Sequence, residues 1–241
     1  MKFKKIEIVF LVILGIISII LRFYGIDMPD FYGDESVQVM SIKDFIATKN
    51  VAFLQVFNHP PLFLLAVSFP ALLFGINEYT VRIVDAFFGT LTVFIVYFLT
   101  RMWYRKRYAV LASILFAVAP LPVIYSRLAF GYTMSLFFTI ASIFAIEYLI
   151  SHKLDKKHEL IMIFVSGALI ALTFLTRFNS LPIFGLYWLF ILSYSFLKEK
   201  SRFRKYLYYA FIIHIIALAL FLLGILALGG ISMLVYVIYQ F

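Results

Sequence analysis

The chain of 241 residues contains no cysteine, and only 14% of its residues are charged. The absence of cysteine excludes disulfide bonds, thiolate nucleophiles and cysteine-ligated metals. Soluble domains carry about 25% charged and about 45–50% apolar residues, whereas 64% of this chain is hydrophobic. Its mean hydropathy is +1.03. These values predict an all-α polytopic membrane protein.

Acidic residues are also scarce, with 12 Asp and Glu against 21 Lys and Arg, and the net charge is +9. The basic residues stand in short clusters between apolar runs, a pattern that indicates membrane topology rather than a nucleic-acid surface. The sequence has no glycine-rich phosphate loop, which argues against a nucleotide-driven site. We therefore expect membrane lipid, and no nucleic acid, as a partner.

Seven apolar stretches are long enough for helices that cross ~30 Å of hydrocarbon, which takes about 20 residues. They are Ile6–Phe23, Val81–Thr100, Tyr108–Tyr125, Leu128–Ile150, Leu160–Thr176, Leu181–Leu197 and Tyr206–Leu228. The first stretch resembles a signal peptide, but no small-residue cleavage site follows it, so we interpret it as a retained helix. An eighth run, Leu62–Phe74, is shorter and is interrupted by Pro70.

The positive-inside rule decides whether Leu62–Phe74 spans the membrane. If it does not span, 15 of the 21 basic residues fall on one side, which the rule makes cytoplasmic. These are Lys2, Lys4, Lys5, Arg101, Arg105, Lys106, Arg107, Lys153, Lys156, Lys157, Lys198, Lys200, Arg202, Arg204 and Lys205. If it spanned, three of the four clusters would move to the opposite side. We therefore predict seven spans in the plasma membrane, with a cytoplasmic N-terminus.

The predicted organisation is a single transmembrane domain, 1–241, without a separate soluble part. The first span lies in 1–23, an outer loop in 24–80, six further spans in 81–228, and an apolar outer tail in 229–241. Within the outer loop, Leu62–Phe74 is an interfacial or re-entrant helix. Ser36–Lys49 places Val39, Ile42, Phe45 and Ile46 along one helical side, which predicts a second interfacial helix.

Two adjacent carboxylates, Asp34 and Glu35, stand just outside the first span. One interpretation is catalytic: a carboxylate that takes a proton from an acceptor hydroxyl, with or without a metal. The alternative is structural, because Asp is a favoured N-cap and a helix is predicted from Ser36. The acid pair alone does not decide between them.

Three arginines mark the outer ends of different helices: Arg82, Arg127 and Arg177. The planar guanidinium binds two phosphate oxygens and stays charged, so these residues are candidate phosphate ligands. Each has a structural alternative. Arg82 and Asp85 are three residues apart and predict a local ion pair, Arg127 is placed to snorkel to headgroups, and Arg177 to anchor a helix end.

His59 lies in the segment Asn-His-Pro-Pro that precedes the interfacial helix. The double proline fixes an extended entry to that helix, since proline disfavours helical backbone at the residue before it. His59 is a candidate for substrate binding or proton relay, and positioning of the helix is the alternative. No His and carboxylate pair has metal-ligand spacing on a helix.

The order of these motifs resembles a known family. The set comprises an N-terminal span, the outer Gly-Asp-Glu, His-Pro-Pro-Leu opening an apolar helix, and Asn77–Arg82 leading into a span. A basic turn then follows, with Ala-Pro, Ser126–Ala129 and finally Thr176–Phe178. Over about residues 6–200 the chain resembles the membrane module of polyprenyl-phosphate-dependent (GT-C) glycosyltransferases, of the protein O-mannosyltransferase and aminoarabinose-transferase type.

The resemblance implies inverting sugar transfer from a polyprenyl-phosphate donor to a hydroxyl or amine of a protein, lipid or cell-wall acceptor on the outer face. Asp34 then matches the catalytic carboxylate, and Glu35 supports it or helps it to bind a divalent metal, Mg²⁺ or Mn²⁺. Arg127 and Arg177, with Arg82, would neutralise the lipid phosphate.

Two departures from the family pattern leave alternatives open. Many relatives carry an Asp in the second outer loop, where this chain has Gly131 and Tyr132, so metal use is in question and Tyr132 becomes a candidate positioning residue. The family usually continues beyond seven spans, so a shortened relative, a minimal enzyme and an inactive relative are all compatible with the sequence. The alternative function is a non-catalytic lipid-phosphate-binding or transporter-like membrane protein.

Overall fold

The computed structural model describes residues 5–28, 30–50, 53, 61–177, 181–198 and 200–239. Within these ranges the chain forms ten helices and no strand. In chain order they are α1 (Lys5–Phe23), α2 (Gly33–Thr48), α3 (Pro61–Phe74), α4 (Glu78–Trp103), α5 (Lys106–Val118), α6 (Pro120–Ser126), α7 (Tyr132–Ser151), α8 (Lys156–Thr176), α9 (Leu181–Lys198) and α10 (Lys200–Tyr239).

Five helices are long and apolar enough to cross a membrane: α1, α4, α7, α8 and the Arg202–Leu228 part of α10. The pair α5 and α6 makes a sixth candidate, bent by 54°. These helices confirm a multi-pass membrane protein, but the predicted count of seven spans is not confirmed. The remaining predicted span, Leu181–Leu197, corresponds to α9 (Leu181–Lys198), within which Pro182–Ser193 forms a shorter apolar stretch.

The predicted span Tyr108–Tyr125 is broken at Ala119, whose backbone is extended with φ −61° and ψ 135°. Pro120 follows, and a proline both lacks an N–H and disfavours helical backbone at the preceding residue. The helix therefore stops at Val118 and restarts at Pro120 in a new direction.

The last helix is longer than predicted. α10 contains 40 residues, which is about 60 Å at 1.5 Å per residue and about twice the hydrocarbon thickness. Helical backbone continues from Leu228 to Tyr239, so the predicted apolar tail begins inside α10 rather than after it.

Both predicted helices of the outer loop are present as α2 and α3. Ile42 of α2 and Phe63, Leu64 and Val67 of α3 are buried in one cluster, and Val39, Phe45 and Ile46 pack against it. The apolar side of α2 is therefore covered by α3 and its neighbours. This packing fixes the first turn of α2, which carries Asp34 and Glu35, against the bundle.

Contacts at the other end of α1 and α4 join Glu7 to the basic cluster of residues 101–107. Glu7 of α1 is buried and accepts a short hydrogen bond from Tyr97. Its carboxylate lies 3.7 Å from Arg101 and 3.3 Å from Lys106. Since α1, α4 and α5 meet there, we call this the basic end, and the end that carries Asp34 the outer end.

Candidate functional site

The first turn of α2 separates the two adjacent acids. Tyr32 is the N-cap, with extended backbone, and its N–H donates to Glu35 at 2.9 Å. The alternative interpretation of Asp34 as the N-cap is therefore wrong. Asp34 is exposed, and no described residue forms a hydrogen bond or ion pair with its carboxylate.

Glu35 is completely buried. Arg82 donates to it from Nε at 3.0 Å and from Nη2 at 2.7 Å, and the backbone N–H of Ala129 donates at 2.7 Å. Together with Tyr32, four donors thus converge on one carboxylate. Burial acts to raise the pKa of Glu35, but the hydrogen bonds from Arg82, Ala129 and Tyr32 outweigh it, and the pKa lies below its ordinary value.

Arg82 ties three segments together. Besides Glu35, its Nη1 donates to the carbonyl of Ile26 at 2.9 Å and its Nη2 to that of Asp30 at 3.0 Å. The guanidinium therefore holds the turn between α1 and α2 as well as α2 itself. It binds Glu35, 47 positions away, whereas the sequence predicted a pair with Asp85.

Asp85 instead organises the start of α7. Its carboxylate accepts from the backbone N–H groups of Phe130, Gly131 and Met134 at 3.0, 2.6 and 3.1 Å, and from the hydroxyl of Thr133 at 2.7 Å. These are donors that a helix N-terminus leaves without an intrahelical partner. The carboxylate is buried inside a span because it is needed there as a cap.

Gly131 is required at this junction. Its φ is +72°, in the left-handed region, and a Cβ would lie 2.9 Å from Cγ of Phe63. Both the backbone conformation and the close approach of α3 exclude larger residues. The glycine at position 131 thus has a structural reason.

Arg127 caps the end of the first span. Its Nη1 donates to the carbonyls of Leu21 and Tyr24 at 3.1 and 2.8 Å, and its Nη2 to that of Gly25 at 2.9 Å. A cation at a helix C-terminus satisfies its last carbonyls and complements the helix dipole. Arg127 is nevertheless only partly buried, and one side of it faces a cleft.

This outer cleft has a volume of about 230 Å³ and is open to the surface. The residues that line it come from the turn between α1 and α2, from α4 and from the segment around α6: Ile26, Asp30, Tyr32, Arg82, Ile124, Arg127 and Leu128. Two of the three predicted arginines therefore border one cleft. Asp34 follows the lining residue Tyr32 by two positions and is exposed.

The third arginine, Arg177, stacks on an aromatic ring. Its guanidinium lies 3.9 Å from the ring centroid of Tyr132, and its Nη1 donates to the carbonyl of Phe130. Arg177 is 9% exposed. Tyr132 therefore positions Arg177 through a cation–π contact.

The donor set does not fit a metal centre. In the part of the chain that the structure describes, no group of three or more His, Asp or Glu side chains is placed to hold a metal ion. Glu35 already accepts hydrogen bonds from four donors. Of the predicted pair, only the Asp34 carboxylate then remains as a candidate metal ligand. His59 lies outside the described residues.

Two buried polar residues escaped the sequence predictions. Arg22 is fully buried, and its Nη1 donates to Ser18 at 2.9 Å and to the carbonyl of Ala117 at 3.2 Å, while Nε and Nη2 have no partner among the described residues. Gln38 is also buried, and neither its amide nitrogen nor its amide oxygen has a hydrogen-bond partner among the described residues. The signal for Gln38 is its spacing of three from Glu35 on one helix face.

A family model described as dolichyl-phosphate-mannose-protein mannosyltransferase matches residues 58–239. No curated protein matches the chain.

Solved structures of three membrane glycosyltransferases share the fold. The S. cerevisiae protein O-mannosyltransferase complex bound to the sugar donor has a TM-score of 0.75 at 18% identity, over 93% of this chain and 34% of that chain. ArnT from Cupriavidus metallidurans bound to undecaprenyl phosphate has a TM-score of 0.72 at 16% identity, over 88% of this chain and 41% of that chain. The Archaeoglobus fulgidus oligosaccharyltransferase in complex with an inhibitory peptide and a dolichol-phosphate has a TM-score of 0.68 at 19% identity, over 91% of this chain and 29% of that chain. The chain thus spans less than half the length of each.

Proposed function

The chain belongs to the dolichyl-phosphate-mannose-protein mannosyltransferase family, and from this membership we propose that it transfers a sugar from a polyprenyl-phosphate donor to an acceptor. The acceptor is a hydroxyl or amine of a protein, lipid or cell-wall component on the outer face of the plasma membrane. The observation that carries the proposal is the division between the two acids. Glu35 is buried and fully paired, whereas Asp34 is exposed, has no partner among the described residues, and stands two positions after Tyr32, which lines the cleft with Arg82 and Arg127.

In the proposed reaction the Asp34 carboxylate accepts the proton of the acceptor group. The acceptor oxygen or nitrogen forms a bond to the anomeric carbon of the sugar from the face opposite the phosphate. The bond from that carbon to the phosphate oxygen breaks, and its electron pair leaves with the polyprenyl phosphate. Attack from the opposite face inverts the anomeric carbon, and Asp34 later releases its proton to water.

The leaving phosphate gains negative charge as the bond breaks, and preorganised cations stabilise such charge most effectively. Arg127 is held by three carbonyls and Arg177 by one carbonyl and a ring, so neither needs to reorient during the reaction. Arg82 borders the cleft, but its pairing with Glu35 leaves little net charge there. We therefore assign the phosphate to Arg127 and Arg177 and the cleft wall to Arg82.

Two of the structural relatives were solved with undecaprenyl phosphate and with a dolichol-phosphate, which supports a lipid-linked donor. No step of the proposed reaction needs a metal, and the Glu35 carboxylate is already bound by Arg82 and Ala129. Transfer is tested with purified protein in detergent micelles, a radiolabelled dolichyl-phosphate-mannose donor and a membrane extract as acceptor. Protein-dependent release of dolichyl phosphate is expected. Saturable donor binding without release would indicate the alternative, a non-catalytic lipid-phosphate-binding protein.

We expect Arg177→Gln to weaken binding of polyprenyl phosphate by about 10- to 100-fold, the usual range for a hydrogen bond to a charged group. The measurement is equilibrium binding of a radiolabelled polyprenyl phosphate to the detergent-solubilised protein. Arg105→Gln is the matched control, since it removes the same charge from an exposed position at the basic end. Equal affinities of the two variants would remove Arg177 from the site.

A further inference from the structure

We propose that the protein has a second anion site, at the basic end of the bundle, which binds an anionic phosphate group. A cavity of about 370 Å³ lies between the end of α7 and the start of α10. Its polar lining consists mainly of His152, Lys153, Arg202, Lys205, Tyr206 and Tyr209. The outer cleft lies at the opposite ends of the spans, so this cavity has no part in the proposed sugar transfer.

The cavity concentrates positive charge from two elements. Lys153 comes from the turn after α7, while Arg202 and Lys205 are three residues apart on α10 and share one helical face. No acid occurs among the described residues that line it. The nearby Glu159 lies 3.5 Å from Lys205; Lys205 is 56% exposed and Glu159 28%, so solvent screens this pair. Three basic side chains thus line one cavity whose described lining contains no acid.

Tyr209 supplies an independent indication of a ligand. The residue is 1% exposed and lines the cavity. Its hydroxyl is buried and has no hydrogen-bond partner at bonding distance among the described residues, while the ammonium of Lys205 lies 5.1 Å from its ring centroid. A buried hydroxyl without a partner is unfavourable. A phosphate oxygen in the cavity would accept from Tyr209 and pair with Lys205 at once.

The position of the cavity indicates the source of the phosphate. Leu149, Ile150 and Leu154 form its apolar wall, and Arg202 begins the membrane-crossing part of α10. The cavity therefore stands at the boundary of the hydrocarbon, at the depth of lipid headgroups. Basic pockets between transmembrane helices at this level bind the phosphates of anionic lipids. A free phosphate offers the same chemistry, and the two sources are separable by experiment.

The test is a ligand titration followed by thermal unfolding of the detergent-solubilised protein. The probes are dioctanoyl phosphatidic acid, inorganic phosphate and, as a zwitterionic control, dioctanoyl phosphatidylcholine. A ligand that binds the folded state raises Tm in proportion to its saturation. We expect a saturable rise with phosphatidic acid. An equal rise with inorganic phosphate would indicate a free-phosphate site, whereas an equal rise with phosphatidylcholine would overturn the proposal.

Matched variants locate the binding. We expect the double variant Arg202→Gln with Lys205→Gln to weaken binding at least 10-fold. The pair Lys156→Gln with Lys157→Gln removes the same charge from the exposed first turn of α8, outside the cavity lining, and should stay within twofold of the unmodified protein. An equal loss in both pairs would show a diffuse charge effect and overturn the proposal.

Tyr209→Phe removes only the buried hydroxyl. Loss of one hydrogen bond to the ligand should weaken binding about 3- to 10-fold. The ligand-free Tm should change little, because the hydroxyl makes no hydrogen bond of ordinary length to a described residue. Unchanged affinity in this variant would exclude Tyr209 as a ligand contact and contradict the proposed site.

Discussion

Asp34→Asn should lower sugar transfer by about 10²- to 10⁴-fold, the usual contribution of a general acid or base. The amide keeps the shape of the side chain but cannot accept the acceptor's proton. The unfolding temperature should not change, because the carboxylate is exposed and makes no bond to a described residue. The measurement is the initial rate of transfer from dolichyl-phosphate-mannose, with Tm recorded on the same preparation.

Asp44→Asn is the matched control for this change. Asp44 lies on the same helix, ten residues further on, and is also exposed. It loses the same charge, and we expect transfer to remain within twofold of the unmodified protein. Transfer at the original rate by Asp34→Asn would refute its role as the base, and a loss of folding in that variant would contradict the structure of the α2 turn.

Separating Glu35 from Arg82 should have the largest effect on stability. Removing one partner of a buried ion pair leaves an uncompensated buried charge and costs about 3–5 kcal/mol. For a chain of this size that is a fall in Tm of roughly 6–20 °C. We expect this fall for Glu35→Gln, measured by thermal unfolding in detergent micelles. The double variant with Arg82→Met should recover part of it, since no buried charge is then left unpaired.

The same pair predicts that Tm falls at acidic pH. The pKa of Glu35 is lowered in the folded protein, so its contribution is fully present above the pKa of the unfolded chain. That contribution is lost as the pH falls through the folded pKa, below the ordinary Glu range. Glu35→Gln should therefore flatten the fall of Tm in this acidic window. An unchanged fall of Tm in this window would contradict the buried pair.

Composition and charge were sufficient to predict the membrane class and both helices of the outer loop. These features depend on local apolar runs and on the cost of moving charge across a bilayer, which a sequence displays directly. The break at Ala119 follows from the proline rule, yet the hydropathy of Tyr108–Tyr125 concealed it. The predicted span Tyr206–Leu228 has the length that one crossing requires, whereas α10 continues beyond it to Tyr239.

The division between Asp34 and Glu35 was beyond local sequence reasoning. Two adjacent acids look alike in a first turn, and what distinguishes them is Arg82, 47 positions away, and Ala129, 94 positions away. The partner of Asp85 was missed for the same reason, since a spacing of three on one helix favours a local pair. Tertiary contacts decide which carboxylate is buried in an ion pair and which stays exposed without a partner among the described residues.

The most direct test of the proposed site is a structure of this protein with a polyprenyl phosphate bound. We predict that the phosphate lies at the outer end, within hydrogen-bonding distance of Arg127 or Arg177, with the anomeric carbon of a bound donor facing Asp34. Glu35 should keep its pair with Arg82 in that complex. A phosphate bound away from both arginines, or a Glu35 carboxylate released from Arg82 to contact the ligand, would contradict the assignment.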